Sequence, residues 1–298
     1  MSARRTLAVT SALAVALAAA YLLLPPMGTD LSAQVARADF LAEHGLTPID
    51  LRWYGGVNQF GYSLISPAVM AALGVRLTGA VALVGAAVAF VTLLIRTGVP
   101  RPLLGGLVGA VCIADNLVSG RVTYGLGVAF GVAALLALTL PAGDRRGRAV
   151  RYAAAAAAAV LASAASPVAG LFVVLAGAAL LLTRRVADGL VLVAASGVPL
   201  AATALLFSEG GWMNISRTET IHAVVASLAV AALVTPAPVR VGALLSAAGV
   251  TLAALVHTPV GLNATRLAIM FSLPVVAATA RLPGRAAGAG NGPTAAAL

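Results

Sequence analysis

Lysine is absent from the 298 residues, so all nineteen basic side chains are arginines. Charged residues make up only 9% of the chain, against about 25% in an ordinary soluble domain. That deficit excludes a conventional soluble fold. Cys112 is the single cysteine, which excludes an intramolecular disulfide and a thiolate-rich metal site; it lies in an apolar run and is expected to pack as a small apolar side chain. His44, His222 and His257 are far apart and show no metal-ligand spacing. No cofactor is evident, and a divalent metal is left open. Walker, nucleophile-elbow and HExxH patterns are all missing.

Apolar residues fill 61% of the sequence, and the mean hydropathy is +1.02. These values predict an all-α polytopic membrane protein, since helices satisfy their own backbone groups inside a bilayer. Each crossing needs about 20 mostly apolar residues, and the chain supplies ten candidate runs: 6–24, 77–95, 102–118, 125–140, 153–165, 168–183, 190–207, 221–234, 241–256 and 266–280. The first is too long for a signal-peptide core and is read as an uncleaved span. A single transmembrane domain is therefore expected over 1–283, with an outer loop and interfacial helix over 28–73. The Gly-, Ala- and Pro-rich tail 284–298 is expected to be a disordered cytoplasmic segment.

The net charge of +10 does not indicate nucleic acid, because the arginines are strung between apolar runs and form no polar binding face. They report topology instead. Arg4, Arg5, Arg96, Arg101, Arg145, Arg146, Arg148, Arg151, Arg184, Arg185, Arg240, Arg281 and Arg285 fall on one side of the ten-span arrangement, and the positive-inside bias makes that side cytoplasmic. Both termini are then cytoplasmic and the location is the inner (cell) membrane. The lysine-free, alanine-rich composition suggests a GC-rich bacterial genome. Seven of the nine carboxylates fall at or near the opposite, outer side.

Four of those carboxylates lie between Gly28 and Pro67, which marks this polar island as the candidate functional segment. A helix starting near Asp30 places Asp30, Gln34 and Arg37 on one stripe, with Leu31, Val35 and Ala38 beside it. Such an amphipathic helix lies in the membrane interface. Asp30 there is a candidate general base toward a hydroxyl acceptor or, equally, an N-cap. In the WYGGVNQFGY run, Tyr54, Asn58 and Gln59 are candidate substrate contacts, with interfacial anchoring by the aromatics as the alternative.

Asp115 and Asn116 end a predicted span, and Arg121 follows in the outer turn 119–124, so Arg121 is a substrate-binding candidate or half of a local ion pair. Arg266 opens the last span; it is a candidate ligand for a lipid phosphate or a side chain that merely snorkels to the headgroups. The polar loop 208–220 either covers a site or only connects spans.

This layout resembles the membrane region of the GT-C glycosyltransferases, including the protein O-mannosyltransferase and aminoarabinose transferase families. Asp30 matches the acidic position after the first span, YGGVNQFGYSLISP with LGVRLTGAVALV resembles the approach to the second span, and SGRVTYG the outer turn after the third. The resemblance spans about residues 1–185. It implies a membrane-lipid environment, a polyprenyl-phosphate-linked sugar donor and catalysis by Asp30. The adjacent carboxylate common in the family is replaced by Thr29 and Leu31, and the soluble C-terminal portion has no counterpart, a pattern of a shortened or degenerate member. The alternative readings are a secondary transporter, to which Pro167, Pro199 and Pro274 would supply helix breaks, and a non-catalytic scaffold. Sugar, acceptor and oligomeric state are not specified.

Overall fold

The computed structural model describes residues 2–52, 56–207 and 211–280. Tyr54 and the tail expected to be disordered lie outside the described residues. The architecture is nearly all-α. In chain order it consists of α1 (Ala3–Leu23), α2 (Leu31–His44), the paired strands β1 (Ile49–Asp50) and β2 (Val57–Asn58), α3 (Gln59–Tyr62), α4 (Ser66–Leu73), α5 (Val75–Arg96), α6 (Pro102–Val118), α7 (Val122–Ala137), α8 (Arg145–Ala165), α9 (Pro167–Leu182), α10 (Val186–Leu206), α11 (Arg217–Leu233), α12 (Ala237–Leu255) and α13 (Arg266–Thr279). The strands pair antiparallel, Ile49 with Asn58 and Asp50 with Val57.

Five segments are long and apolar enough to cross a membrane: Ala3–Leu23, Val75–Arg96, Val186–Leu206, Ala237–Leu255 and Gly261–Thr279. Their outward faces stay apolar. Val15, Val198, Leu205, Leu252, Ile269 and Leu273 are all exposed, the kind of apolar surface that suits a helix bundle in lipid.

Several helices begin about one to two turns earlier than their apolar runs. α8 starts at Arg145 because Asp144 caps it, accepting from the Gly147 amide at 2.7 Å; an N-cap bond of this kind offsets the poor hydropathy of the arginine-rich first turn. α11 starts at Arg217 through a capping box between Ser216 and Glu219. α7 starts at Val122, so the expected outer turn ends at Arg121 and Val122, Thr123 and Tyr124 are buried helix residues.

The interior is packed through small residues. Ala155, Ala159 and Ala162 form a fully buried stripe on α8 at helical spacing. α8 ends at Ser166–Pro167, and its last carbonyls do not go unbonded: the Ser63 hydroxyl donates to Ala165 O at 2.8 Å, the Ser66 hydroxyl to the same oxygen at 2.8 Å, and the Leu64 amide to Ala164 O at 2.9 Å. Such partners are what a buried helix end requires. The chain between α3 and α4 is thereby clasped to the α8–α9 turn. Phe60 packs edge-on against Phe207 at the end of α10, with ring centres 5.4 Å apart. The segment from Gly28 to Pro67 thus sits across one end of the bundle.

Candidate functional site

Gly28-Thr29-Asp30, leaving α1, runs directly against Ser119-Gly120-Arg121 in the α6–α7 turn. The Asp30 amide donates to Ser119 O at 3.3 Å. Both turns carry a left-handed glycine, Gly28 at φ 103° and Gly120 at φ 84°. A Cβ on Gly28 would lie 2.5 Å from Gly120 N, and one on Gly120 would overlap the Leu31 amide. Only glycine permits such an approach. It leaves Asp30 Oδ2 accepting from Arg121 Nε at 2.9 Å.

Asp30 stands at the N-cap of α2, yet its carboxylate makes no bond to the first-turn amides. The alternative reading as a side-chain cap is not realised. Its other oxygen, Oδ1, accepts from Thr29 Oγ1 at 3.4 Å. The arginine beside Asp30 is Arg121, 91 residues on, and not Arg37 as helical spacing suggested.

The polar stripe of α2 faces the protein. Gln34 is buried, its Oε1 accepting from the Thr123 hydroxyl at 2.5 Å and the Thr123 amide at 3.3 Å, while its Nε2 donates to Tyr62 Oη at 2.8 Å. The Arg37 guanidinium, also buried, lies 3.8 Å above the Tyr62 ring and donates to Gln59 Oε1 at 3.0 Å. Of the apolar residues beside that stripe, Leu31 and Ala38 are buried and Val35 is exposed. The physical reason is that the helix ends and turns beneath α2 offer hydrogen-bond partners that an apolar face cannot use.

Asn58 caps α3, its Oδ1 accepting from the Phe60 amide at 3.1 Å. Gln59 is buried between Arg37 and Asp50, donating to Asp50 Oδ2 at 3.4 Å. Asp115 and Asp39 are exposed, and neither forms an ion pair among the described residues. Asn116 donates to the Arg121 carbonyl at 3.2 Å and so steadies the turn that presents Arg121.

Arg266 arrives from the other half of the chain, at the start of α13. Its guanidinium carbon lies 5.1 Å from the centre of the Tyr124 ring, and it has no hydrogen bond or ion pair among the described residues. Arg121, Tyr62 and Asp30 lie within its electrostatic reach. The structure therefore pairs Asp30 with Arg121, joins Gln34 to the same turn through Thr123 and sets Arg266 over Tyr124, with the Arg37 guanidinium against Tyr62 on the other side of Gln34. Tyr62, Thr123 and Tyr124 complete the surroundings. Sequence reasoning missed these three, although Tyr62 closes the aromatic-glycine run and Thr123 follows Arg121 by two residues.

Asp50 anchors the far end of this network. Burial works to raise its carboxyl, but the Arg52 side-chain and backbone hydrogen bonds at 3.1 and 2.9 Å and the Arg52 charge outweigh it, leaving the carboxyl below the usual aspartate range. A carboxylate depressed in the folded state contributes stability that is complete above its unfolded value, about 3.9, and is lost as pH falls through the folded value. The protection of residues 43–59 against hydrogen exchange, taken relative to the intrinsic rate at each pH, should accordingly fall as pH drops below about 4, and an Asp50→Asn variant should lack the transition. An identical pH profile in the two proteins would refute this role for Asp50.

Compared with known proteins, the chain matches no family model, no curated protein and no solved structure.

Proposed function

We propose that this chain is a GT-C-type membrane glycosyltransferase that crosses the bacterial inner membrane ten times, with both termini cytoplasmic. It moves a sugar from a polyprenyl-phosphate donor to an acceptor hydroxyl at the outer face. The observation that carries the reading is Asp30 held by Arg121, with the Arg266 guanidinium, which has no ion pair among the described residues, set over the ring of Tyr124 three residues beyond Arg121. A base, a developing anion and a lipid-level location are what such a transfer requires.

In this reaction Asp30 Oδ1 takes the acceptor hydroxyl proton while the hydroxyl oxygen bonds to the anomeric carbon. The bond from that carbon to the phosphate oxygen breaks, and the phosphate departs with the bonding pair and one more negative charge. Arg266 and the outer nitrogens of Arg121 meet that charge; the proton on Asp30 passes to water. The donor's polyprenyl chain never leaves the lipid.

A transporter calls for helices broken near the bilayer midplane. Pro199 and Pro274 instead lie inside α10 and α13, which continue through them, and Pro167 occupies the first turn of α9, where proline is tolerated.

The test is sugar transfer by the purified protein in proteoliposomes supplied with polyprenyl-phosphate sugars. Arg266→Gln should raise the donor KM by about 10- to 100-fold, the loss of one charge-assisted hydrogen bond. An unchanged KM would remove Arg266 from the donor site. Gradient-driven solute uptake by wild type, with no transfer from a panel of such donors, would overturn the enzyme reading.

A further inference from the structure

The opposite end of the bundle carries charge that the protein does not neutralise. Asp188, buried in the first turn of α10, is held at once by Arg151 from α8 at 2.5 Å and by Arg185 at 2.6 Å. That shared carboxylate joins the first turns of α8 to the α9–α10 turn. Asp144, the other carboxylate here, is engaged as the cap of α8. Arg145, Arg146 and Arg148 precede Arg151 in the first turns of α8 and Arg184 precedes Arg185 in the α9–α10 turn, all exposed and none in an ion pair among the described residues.

The surplus is costly for the protein alone. Three of these arginines lie in the first turns of α8, at the positive end of its dipole, where cations are unfavourable. Arg184 has φ 66° and closes α9 with the bond pair Arg185 N to Leu180 O and Arg184 N to Leu181 O, a left-handed position normally given to glycine.

Apolar side chains border the arginines. Val150, Leu182, Val186 and Leu190 are exposed within a few residues of them. A phosphate seated on the guanidinium groups would therefore carry any attached acyl chain straight onto an apolar wall. Free phosphate would leave that wall uncovered, and a nucleic acid or acidic peptide would meet it with polar groups.

We infer that this junction is a binding surface for the headgroup of an anionic phospholipid, with acyl chains along α8, α9 and α10. The inference rests on the membrane-embedded reading and is independent of sugar transfer. In vesicles of phosphatidylcholine, the full-length protein should bind spin-labelled phosphatidylglycerol in preference to labelled phosphatidylcholine, by roughly fivefold for each arginine engaged.

The preference should fall toward unity in the Arg145→Gln, Arg146→Gln, Arg148→Gln, Arg184→Gln variant and survive in Arg4→Gln, Arg5→Gln. Should the fourfold variant fail to fold, Arg146→Gln with Arg184→Gln tests the same site, and added salt should weaken the preference of the wild type. Equal binding of the two lipids by wild type, or an unchanged preference in the variants, would overturn the inference. So would full competition by inorganic phosphate, which would identify a free-anion site. Failure of the membrane reading has its own signature, since the protein would then not float with vesicles of either composition.

Discussion

Asp30→Asn should lower the rate of sugar transfer by about 10²- to 10⁴-fold, the range for loss of a positioned general base, while leaving the protein folded. The two effects separate because the Asp30–Arg121 pair is only partly shielded, with side chains 38% and 32% exposed. An ion pair so placed contributes at most about 1 kcal/mol to stability. Asparagine keeps an acceptor oxygen for Arg121 Nε and nearly the same shape, but it cannot take a proton. A purely structural pair predicts the reverse, a lowered melting temperature with kcat intact. Turnover and thermal unfolding of the purified variant decide between them, and wild-type turnover would sink the mechanism. Arg121→Gln should slow the reaction by less, since in the proposed mechanism Arg121 positions the carboxylate and shares the leaving-group charge with Arg266.

Gly120→Ala should damage both stability and activity. Holding a residue with a Cβ at φ 84° costs about 1–2 kcal/mol, and forcing a methyl group against the Leu31 backbone adds about 1–3 kcal/mol. The contact is backbone against backbone, so no side-chain rotation relieves it. The turn must retreat from α2, and Asp30 and Arg121 part. Gly143→Ala is the matched comparison, because a Cβ there meets nothing within 4 Å. The Ala variant at 120 should unfold at a clearly lower temperature and transfer little sugar, whereas that at 143 behaves as wild type. Equal melting temperatures for both would mean that the close approach of the two turns is not maintained in the membrane.

The long helices were legible because apolar runs announce them. Their starts were less so. Arg145 and Arg217 read as loop by hydropathy, and only the caps at Asp144 and Ser216 reveal that the helices begin there. The polar island was also visible as such, since carboxylates are scarce elsewhere. Its internal wiring was not. Helical spacing links residues three or four apart on one helix, and it correctly put Gln34 and Arg37 on one face, but it carries no information on whether that face turns inward. The partner of Asp30 comes from a turn 91 residues away, brought close by two glycines whose role depends on a contact that neither neighbourhood encodes alone. Arg266 stood out as a charge opening an apolar run, whereas its seat over Tyr124 needed the packed bundle.

The clasp between the α3–α4 chain and the α8–α9 turn sets an order of events during biosynthesis. Ser66 and the carbonyl it bonds are separated by 99 residues, so this segment emerges before its anchor has been made. At about 5–20 residues per second, it waits on the order of 5–20 s, with Asp30 able to reach Arg121 well before Ser63 and Ser66 find α8. By order of synthesis the partner of its charged end emerges first, the carbonyls that Ser63 and Ser66 bond come next, and Phe207, against which Phe60 packs, comes last. A nascent chain halted before Ala165 would hold the paired aspartate and an unfastened loop, open to proteolysis from the side where the finished protein is closed.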